Sequence, residues 1–226
     1  MTNSKYSAIA GYGTSALISL LLLLSFSSLA QTGTIRLGIK AGVNRMGVQF
    51  NPGLVGGTEF VPGYEAGLVF QHLAEPHFGI QLDLAVKQLN WQHRQDSVRY
   101  FTLQQYDVEF TAATYIYFGK PQNSVFINLG PTIGNTVKVK DQAFGSESSN
   151  VHLLGNQART YLFYGITVGA GFTKKIGPTT WQLEGRFSQR LTNLFKTGPG
   201  SDLTFNRILP STLGVSLAYL IYSRNK

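Results

Sequence analysis

The chain has 226 residues, no cysteine and a formal net charge of +8. Without cysteine no disulfide can form, so its stability must come from hydrogen bonding and burial. Lys and Arg stand singly along alternating segments, with no basic run and no basic helix, which argues against nucleic-acid binding.

The N-terminal segment is typical of a signal peptide. A lysine precedes an apolar stretch, and small residues follow at the two positions that signal peptidase reads. We predict cleavage between Ala30 and Gln31, which defines a signal peptide at 1–30 and one exported domain at 31–226. The alternative is a membrane-anchoring helix, but the apolar run is short, is interrupted by serines and is followed by the cleavage motif.

After the signal peptide, apolar and polar residues alternate with a period of two in eight segments, while helical periodicity is hard to find. Each segment is close to the 9–11 residues with which a tilted strand crosses a bilayer. No later apolar stretch approaches the roughly 20 residues of a membrane-spanning helix. In chain order, the predicted strands cover residues 34–44, 63–72, 78–88, 106–119, 124–134, 162–173, 179–191 and 213–221.

The links between these strands alternate strictly in length. Those after the second, fourth and sixth strands are tight and contain Pro or Gly, as turns do. This alternation predicts an all-β fold, an eight-stranded antiparallel up-and-down transmembrane β-barrel with its short turns and both chain ends at the periplasmic rim. The four long links are predicted at about residues 45–62, 91–104, 135–160 and 192–208.

The apolar faces of the strands are expected to contact lipid, because the opposite faces carry equal numbers of basic and acidic residues. Such a set suits a narrow lumen in which the charges neutralise one another. Side chains fill an eight-stranded barrel, so we expect no open pore. The alternative is a soluble barrel or sandwich with solvated surface charges. The predicted lumen charge network consists of Arg36, Lys40, Glu65, Asp83, Lys87, Asp107, Glu109, Glu184, Arg186 and Arg190.

Aromatic residues cluster toward the strand ends, where the interfacial belts of membrane barrels lie. Tyr115 and Tyr117, with the tyrosines at 161 and 164, could instead stack a sugar. We interpret them as part of the belts, which is the simpler explanation.

Several segments match a known family in order and spacing. They read RLGIKAGVN in the first strand, YDVEFTAATYIYFG in the fourth, INLGPTIG in the fifth, YGITVGAGFTKKIG in the sixth and LEGRFSQRLTNL in the seventh. With these motifs the chain resembles the PorT-like outer-membrane β-barrel family of Bacteroidota, from about Ile35 to Tyr222. The resemblance implies an outer-membrane barrel and, for some relatives, a part in protein secretion. The sequence departs from the family at Phe110, where proline is common, and in its charged C-terminal SRNK.

No catalytic, cofactor or metal site is expected. His93, Asp96 and Ser97 lie together in a long link and could form a hydrolytic triad, but adjacent polar residues in a loop are usually solvated. His72 and His77 flank a turn without a third metal ligand at convincing spacing.

The sequence favours a non-enzymatic outer-membrane barrel with a plugged polar lumen, whose four long external loops serve a structural or binding role. Its expected partners are outer-membrane lipid and a protein or surface ligand at these loops, and the chain is expected to be a monomer. One alternative, implied by the PorT-like resemblance, is a component that assists protein secretion or assembly across the outer membrane. A small-solute channel and a soluble periplasmic carrier are the others.

Overall fold

The computed structural model describes residues 33–51, 57–59, 61–94, 100–120, 123–144, 160–177, 179–194 and 207–225. These residues form nine β-strands. Within them, no helix is long and apolar enough to cross a membrane. In chain order the strands are β1 (Thr34–Asn51), β2 (Gly57–Glu59), β3 (Pro62–Glu75), β4 (Phe78–Arg94), β5 (Tyr100–Lys120), β6 (Asn123–Phe144), β7 (Leu162–Ile176), β8 (Thr179–Arg190) and β9 (Arg207–Asn225).

The strands form one closed antiparallel sheet. Neighbours follow the order β2-β4-β3-β1-β9-β8-β7-β6-β5, and β4 also pairs with β5. The three-residue β2 and the longer β3 pair with different parts of β4, so they share one position in the wall and the barrel has eight positions. This closure confirms the predicted eight-stranded up-and-down barrel. It matters in a bilayer because each unpaired backbone group in hydrocarbon costs several kcal/mol.

The start of β1 and the end of β9 lie at the same rim as the short turns. Thr34, at the start of β1, pairs with Leu73 near the end of β3 and with Asn225 at the end of β9. The turn between β3 and β4 contains His77, whose φ of 77° is uncommon for a residue other than glycine. The carbonyl of His77 accepts a hydrogen bond of 2.9 Å from the amide of Tyr117, which holds this turn against β5. We call this end, where β3, β5 and β7 finish, the short-turn rim, and the opposite end the long-link rim.

Side chains alternate between the two faces of the wall, as the pleat of a strand requires. On β6, Leu129 is 57% exposed on the outer face while the neighbouring Asn128 is buried inside. Outward positions from Phe78 to Val86 on β4 are apolar, and β6 has the same pattern over its middle part. We call this belt of outward apolar residues, which is continuous from strand to strand, the apolar band.

The apolar band gives a direct test of which face contacts lipid. Replacing Val168, an outward residue at mid-height on β7, by arginine should destabilise the folded barrel by about 2–4 kcal/mol, because a charge then lies in hydrocarbon. The measurement is urea unfolding after folding into lipid vesicles. The matched control is Val137→Arg, since Val137 is also an exposed valine, at 59% against 46% for Val168, but lies on β6 near the long-link rim. Equal losses at the two positions would contradict the placement of the band.

Several strands extend beyond their predicted boundaries at the long-link rim. β4 continues to Arg94, β5 begins at Tyr100 and β6 continues to Phe144, so the links predicted at 91–104 and 135–160 were too long. The physical reason is that apolar and polar residues exchange faces above the apolar band, and the strands continue with the opposite phase of alternation.

Candidate functional site

The lumen layer nearest the short-turn rim is aromatic. Tyr115 and Tyr117 on β5 are 0% and 4% exposed, and with Leu73 and Phe126 they form one buried cluster. The rings of Tyr115 and Phe126 stack with centroids 4.7 Å apart. The interpretation of these two tyrosines as belt residues was therefore wrong. Their odd-numbered positions place them on the same inward face as Asp107 and Glu109.

The predicted charged residues all lie inside the barrel, at the middle level of the lumen or close to it. Each of the ten residues is at most 7% exposed. Tight burial of so many charges is tolerated only where they pair and where hydrogen bonds satisfy the remaining polar atoms. The members are Arg36, Lys40, Lys87, Arg186 and Arg190, with Glu65, Asp83, Asp107, Glu109 and Glu184.

Seven of these charges form one continuous chain of ion pairs. Arg186 contacts both Asp83 and Glu184, the latter at 2.8 Å between Nη2 and Oε1. Lys40 lies 3.6 Å from Asp83 and 4.0 Å from Glu65. The chain continues from Glu65 to Lys87 at 3.8 Å, and Lys87 also contacts Glu109. It links β8, β4, β1, β3 and β5, so it ties opposite sides of the wall across the lumen.

Three glutamines form hydrogen bonds with one another and with the carboxylates of this chain of ion pairs. Gln71 donates a hydrogen bond to Gln81 at 2.8 Å and another to Gln182. Gln81 in turn donates to Asp83 at 3.1 Å, and Gln182 donates to Glu184 at 3.3 Å. Arg36 donates to Gln71 at 3.4 Å, which joins a fourth basic residue to the same network. The amide groups therefore supply the hydrogen bonds that buried carboxylates need.

The upper part of the charged layer is built around Asp107. Its carboxylate contacts Arg190 and accepts hydrogen bonds from Thr136 at 2.7 Å and from Gln105 at 2.9 Å. The guanidinium carbon of Arg190 lies 3.6 Å from the centroid of the Phe163 ring. Such stacking adds to the ion pair because the ring face carries negative charge.

A row of hydroxyl groups lines the wall at the same height. Thr111, Thr132, Thr167 and Ser188 follow one another across β5, β6, β7 and β8. Each adjacent pair of hydroxyl oxygens is 2.8 Å apart. Each hydroxyl can donate one hydrogen bond and accept another, so the three bonds can run in one direction along the row.

The lumen at the long-link rim is apolar, which the sequence analysis did not predict. Trp91 and Leu103 are fully buried there, and Leu194 enters from the link between β8 and β9. The amide of Leu194 donates to the carbonyl of Ile208 at 2.9 Å, which fixes this segment against β9. The cluster consists of Met46, Leu89, Trp91, Leu103, Leu194 and Ile208, with Val48 and Val139 packed against it.

The outer surface at this level is polar. Arg45, Gln49, Lys138 and Lys140 are exposed there. The sequence KQLNW already indicated this apolar lumen. Leu89 and Trp91 share the parity of the lumen residue Lys87, and the residues that alternate with them are polar. The switch in phase marks the upper edge of the apolar band.

The remaining sequence-predicted residues are not brought together into a site. His72 is buried whereas His77 is exposed in the turn. Within the part of the chain that the structure describes, no group of three or more His, Asp or Glu side chains could hold a metal ion. The side chain of His93, and Asp96 and Ser97 as whole residues, lie outside the described residues, as does the predicted cleavage position at Ala30 and Gln31.

A family model described as outer membrane protein β-barrel domain matches residues 29–196, well over half of the chain. The chain belongs to this family. It is accordingly an outer-membrane β-barrel, and its apolar band contacts the lipid of that membrane. The PorT-like subfamily is not confirmed by this match, and the secretion role that the resemblance implied receives no support from it.

Solved structures with a similar fold include OprG from Pseudomonas aeruginosa, at 14% identity and a TM-score of 0.47, with 87% of this chain and 97% of that chain covered. Outer Membrane Protein W from E. coli has 16% identity and a TM-score of 0.44, with 85% and 100% covered. The outer membrane enzyme PagL has 13% identity and a TM-score of 0.42, with 79% and 97% covered. No curated protein sequence matches the chain. At such low identities, none of these proteins assigns an activity to this chain.

Proposed function

We propose that the protein is a non-enzymatic outer-membrane barrel whose long-link rim is an external platform for a protein or surface ligand. The observation that carries this proposal is the inverted packing at that rim, which is apolar inside and polar outside. A soluble barrel is built in the same way, so this part of the wall suits water rather than lipid. Its packed core fixes the strand ends from which the long links leave, and residues on such loops commonly bind partners.

The length of the strands supports the same proposal. β5 and β6 have 21 and 22 residues, whereas a strand crosses a bilayer with about 9–11 residues. At about 3.3 Å per residue and a tilt of about 40°, the surplus raises the links by roughly 25 Å above the apolar band. A barrel that only had to anchor itself in the membrane would not need this extension.

The packing of the lumen supports a closed barrel rather than a channel. Between the two rims, the described side chains place an aromatic layer, a charged layer and an apolar layer in series across the lumen. The charged groups bond to one another, so their positions are determined by the wall and not by a passing solute. Steady conductance steps in planar bilayers would contradict this part of the proposal.

The longest link can be tested for whether it presents a binding surface or is needed for the fold. Replacing residues 145–159 by a short Gly-Ser turn should leave the free energy of unfolding within about 1 kcal/mol of the original, because loop-closure entropy changes slowly with length. The measurement is urea unfolding together with the shift in gel mobility on boiling. A scrambled segment of the same composition is the control. Loss of the compact gel form only in the shortened variant would show that this link is needed for the fold, which would contradict its role in display.

The orientation of the platform is checked in intact cells. The chain has no cysteine, so Lys140→Cys at the long-link rim and Lys175→Cys at the short-turn rim each introduce a single thiol. A membrane-impermeant maleimide should label intact cells at position 140 and not at position 175. Labelling at position 175 alone would place the long links in the periplasm and would overturn the proposal.

A further inference from the structure

Three neighbouring strands carry a two-row patch on the outer wall at the short-turn rim. In the first row, Phe118 on β5 pairs with Val125 on β6, which pairs with Phe172 on β7. In the second row, Lys120 pairs with Asn123, which pairs with Lys174. All six side chains are exposed and share the outward parity, with the lysine row nearer the rim. We call these six residues the Phe-Lys patch.

The Phe-Lys patch encloses a groove of about 430 Å³. Phe118 and Phe172 are 59% and 51% exposed, and Val125 between them is 61% exposed. Because valine is much shorter than phenylalanine, the two rings form walls and Val125 forms the floor. Asn123 and Lys174 also line the groove, on the side of the rim. The groove therefore changes from polar to apolar along the membrane normal.

The mouth of the groove is positively charged. Lys120 and Lys174 are separated by one strand, so their backbones lie about 10 Å apart. Neither ammonium forms an ion pair with a carboxylate of the described residues. Lys175, which follows on β7, is exposed as well. An anion of about the size of a phosphate group can approach both lysines without displacing a protein partner.

A second groove lies next to the first on the same wall, nearer the middle of the apolar band. It has a volume of about 600 Å³, and its lining includes Ile116, Ile127 and Ala170. These three residues form the next row after Phe118, Val125 and Phe172 in the register of β5, β6 and β7, one step further from the short-turn rim. Its floor contains Gly185, which pairs with Ala170, and a Cβ added there would meet only a carbonyl oxygen at 3.8 Å. An apolar track thus leads from the lysines to the middle of the apolar band.

We propose that the Phe-Lys patch binds an anionic phospholipid of the leaflet at the short-turn rim. The phosphate lies between Lys120 and Lys174, and one acyl chain passes between Phe118 and Phe172 into the second groove. The two grooves are continuous with the lipid-contacting surface, and only an amphiphile with an anionic head and an apolar tail matches both the charge and the track. This site is independent of any ligand at the long-link rim.

The chain offers its own probe for the experiment. It has two tryptophans, and Trp181 on β8 pairs with Lys174 of the patch, whereas Trp91 is fully buried at the opposite rim. The full barrel is folded into phosphatidylethanolamine vesicles that contain a small fraction of lipid brominated near the glycerol end of its acyl chains. Bromine quenches tryptophan at contact, so quenching of Trp181 reports which lipid occupies the site. Brominated phosphatidylglycerol and brominated phosphatidylethanolamine are compared at the same fraction.

Phosphatidylglycerol should quench Trp181 as if enriched severalfold over its bulk fraction, and phosphatidylethanolamine should not. The variant Lys120→Gln/Lys174→Gln should lose this preference, and each single substitution should lower it by up to about fivefold. Val125→Phe, which fills the groove without changing charge, should reduce quenching by the brominated anionic lipid. The control Lys138→Gln/Lys140→Gln removes the same charge at the other rim and should leave the preference unchanged. The gel shift on boiling shows that each variant is folded.

Three results would overturn the proposal. The first is equal quenching by the two brominated lipids, and the second is a preference that survives in the Lys120→Gln/Lys174→Gln variant. The third is quenching that falls as the protein-to-lipid ratio rises, with crosslinks between chains at the patch, because a second copy of the chain would then occupy the groove.

Discussion

Replacing Arg186 by methionine is expected to lower the free energy of unfolding of the barrel by about 3–5 kcal/mol. Arg186 lies between Asp83 and Glu184 and forms an ion pair with each of them. Without it, Asp83 keeps Lys40 at 3.6 Å, and Glu184 loses its ion pair. Methionine has a similar length but no charge, so the variant leaves two carboxylates buried and poorly compensated. Removing one partner of a buried ion pair costs more than the pair itself contributes, because the remaining charge stays desolvated. The measurement is urea unfolding in vesicles, with heat-modifiability as a second probe.

Two further variants separate a charge effect from a packing effect. Adding Asp83→Asn and Glu184→Gln to Arg186→Met removes the uncompensated charges and should restore much of the lost stability. Lys138→Met deletes an exposed positive charge at the long-link rim and should change stability by less than about 0.5 kcal/mol. If the triple variant is no more stable than Arg186→Met alone, the loss comes from packing and the charge argument fails.

The sequence was sufficient to place the charged residues in the lumen but not to pair them. The strand period of two sorts side chains onto two faces, and the charges of both signs indicated which face is inside. Arg186 on β8 and Asp83 on β4 are far apart in the wall and meet only across the lumen. That contact depends on the stagger and tilt of the closed sheet, which a linear pattern does not contain.

The two ends of the lumen were missed for a different reason. Tyr115 and Tyr117 were interpreted as residues of the interfacial belt because they lie near a strand end, although they stand at inward positions. At the other end, each predicted strand ended where the alternation with apolar residues on the outer face ended. Leu89 and Trp91 continue the alternation, but here the apolar residues face the lumen and the polar residues face outward, because water replaces lipid outside the wall. Both the two tyrosines and the pair Leu89 and Trp91 follow from the alternation of inward and outward positions when it is continued to the ends of the strands.

The second large effect is expected at the apolar cluster of the long-link rim, and it should be confined to that rim. Trp91→Ala should destabilise this rim by about 3–5 kcal/mol, because a fully buried indole is lost and the cavity cannot collapse within a closed wall. The apolar band below is held by its own hydrogen-bonded ladder and charged lumen, so it should remain folded. Hydrogen–deuterium exchange should therefore accelerate by about a hundredfold or more in the upper parts of β4 and β5. Exchange in the lower parts of the same strands should not change.

The matched control for this experiment is Gln92→Ala, the neighbouring position on β4, whose half-buried side chain points to the outer face. It should leave exchange at the rim close to that of the unmodified protein. Faster exchange along the whole length of β4 in Trp91→Ala would show that rim and band unfold as one unit, which contradicts a separately packed platform. Exchange confined to the rim, together with an intact gel shift on boiling, is the expected outcome because the two parts of the barrel bury their apolar residues on opposite faces.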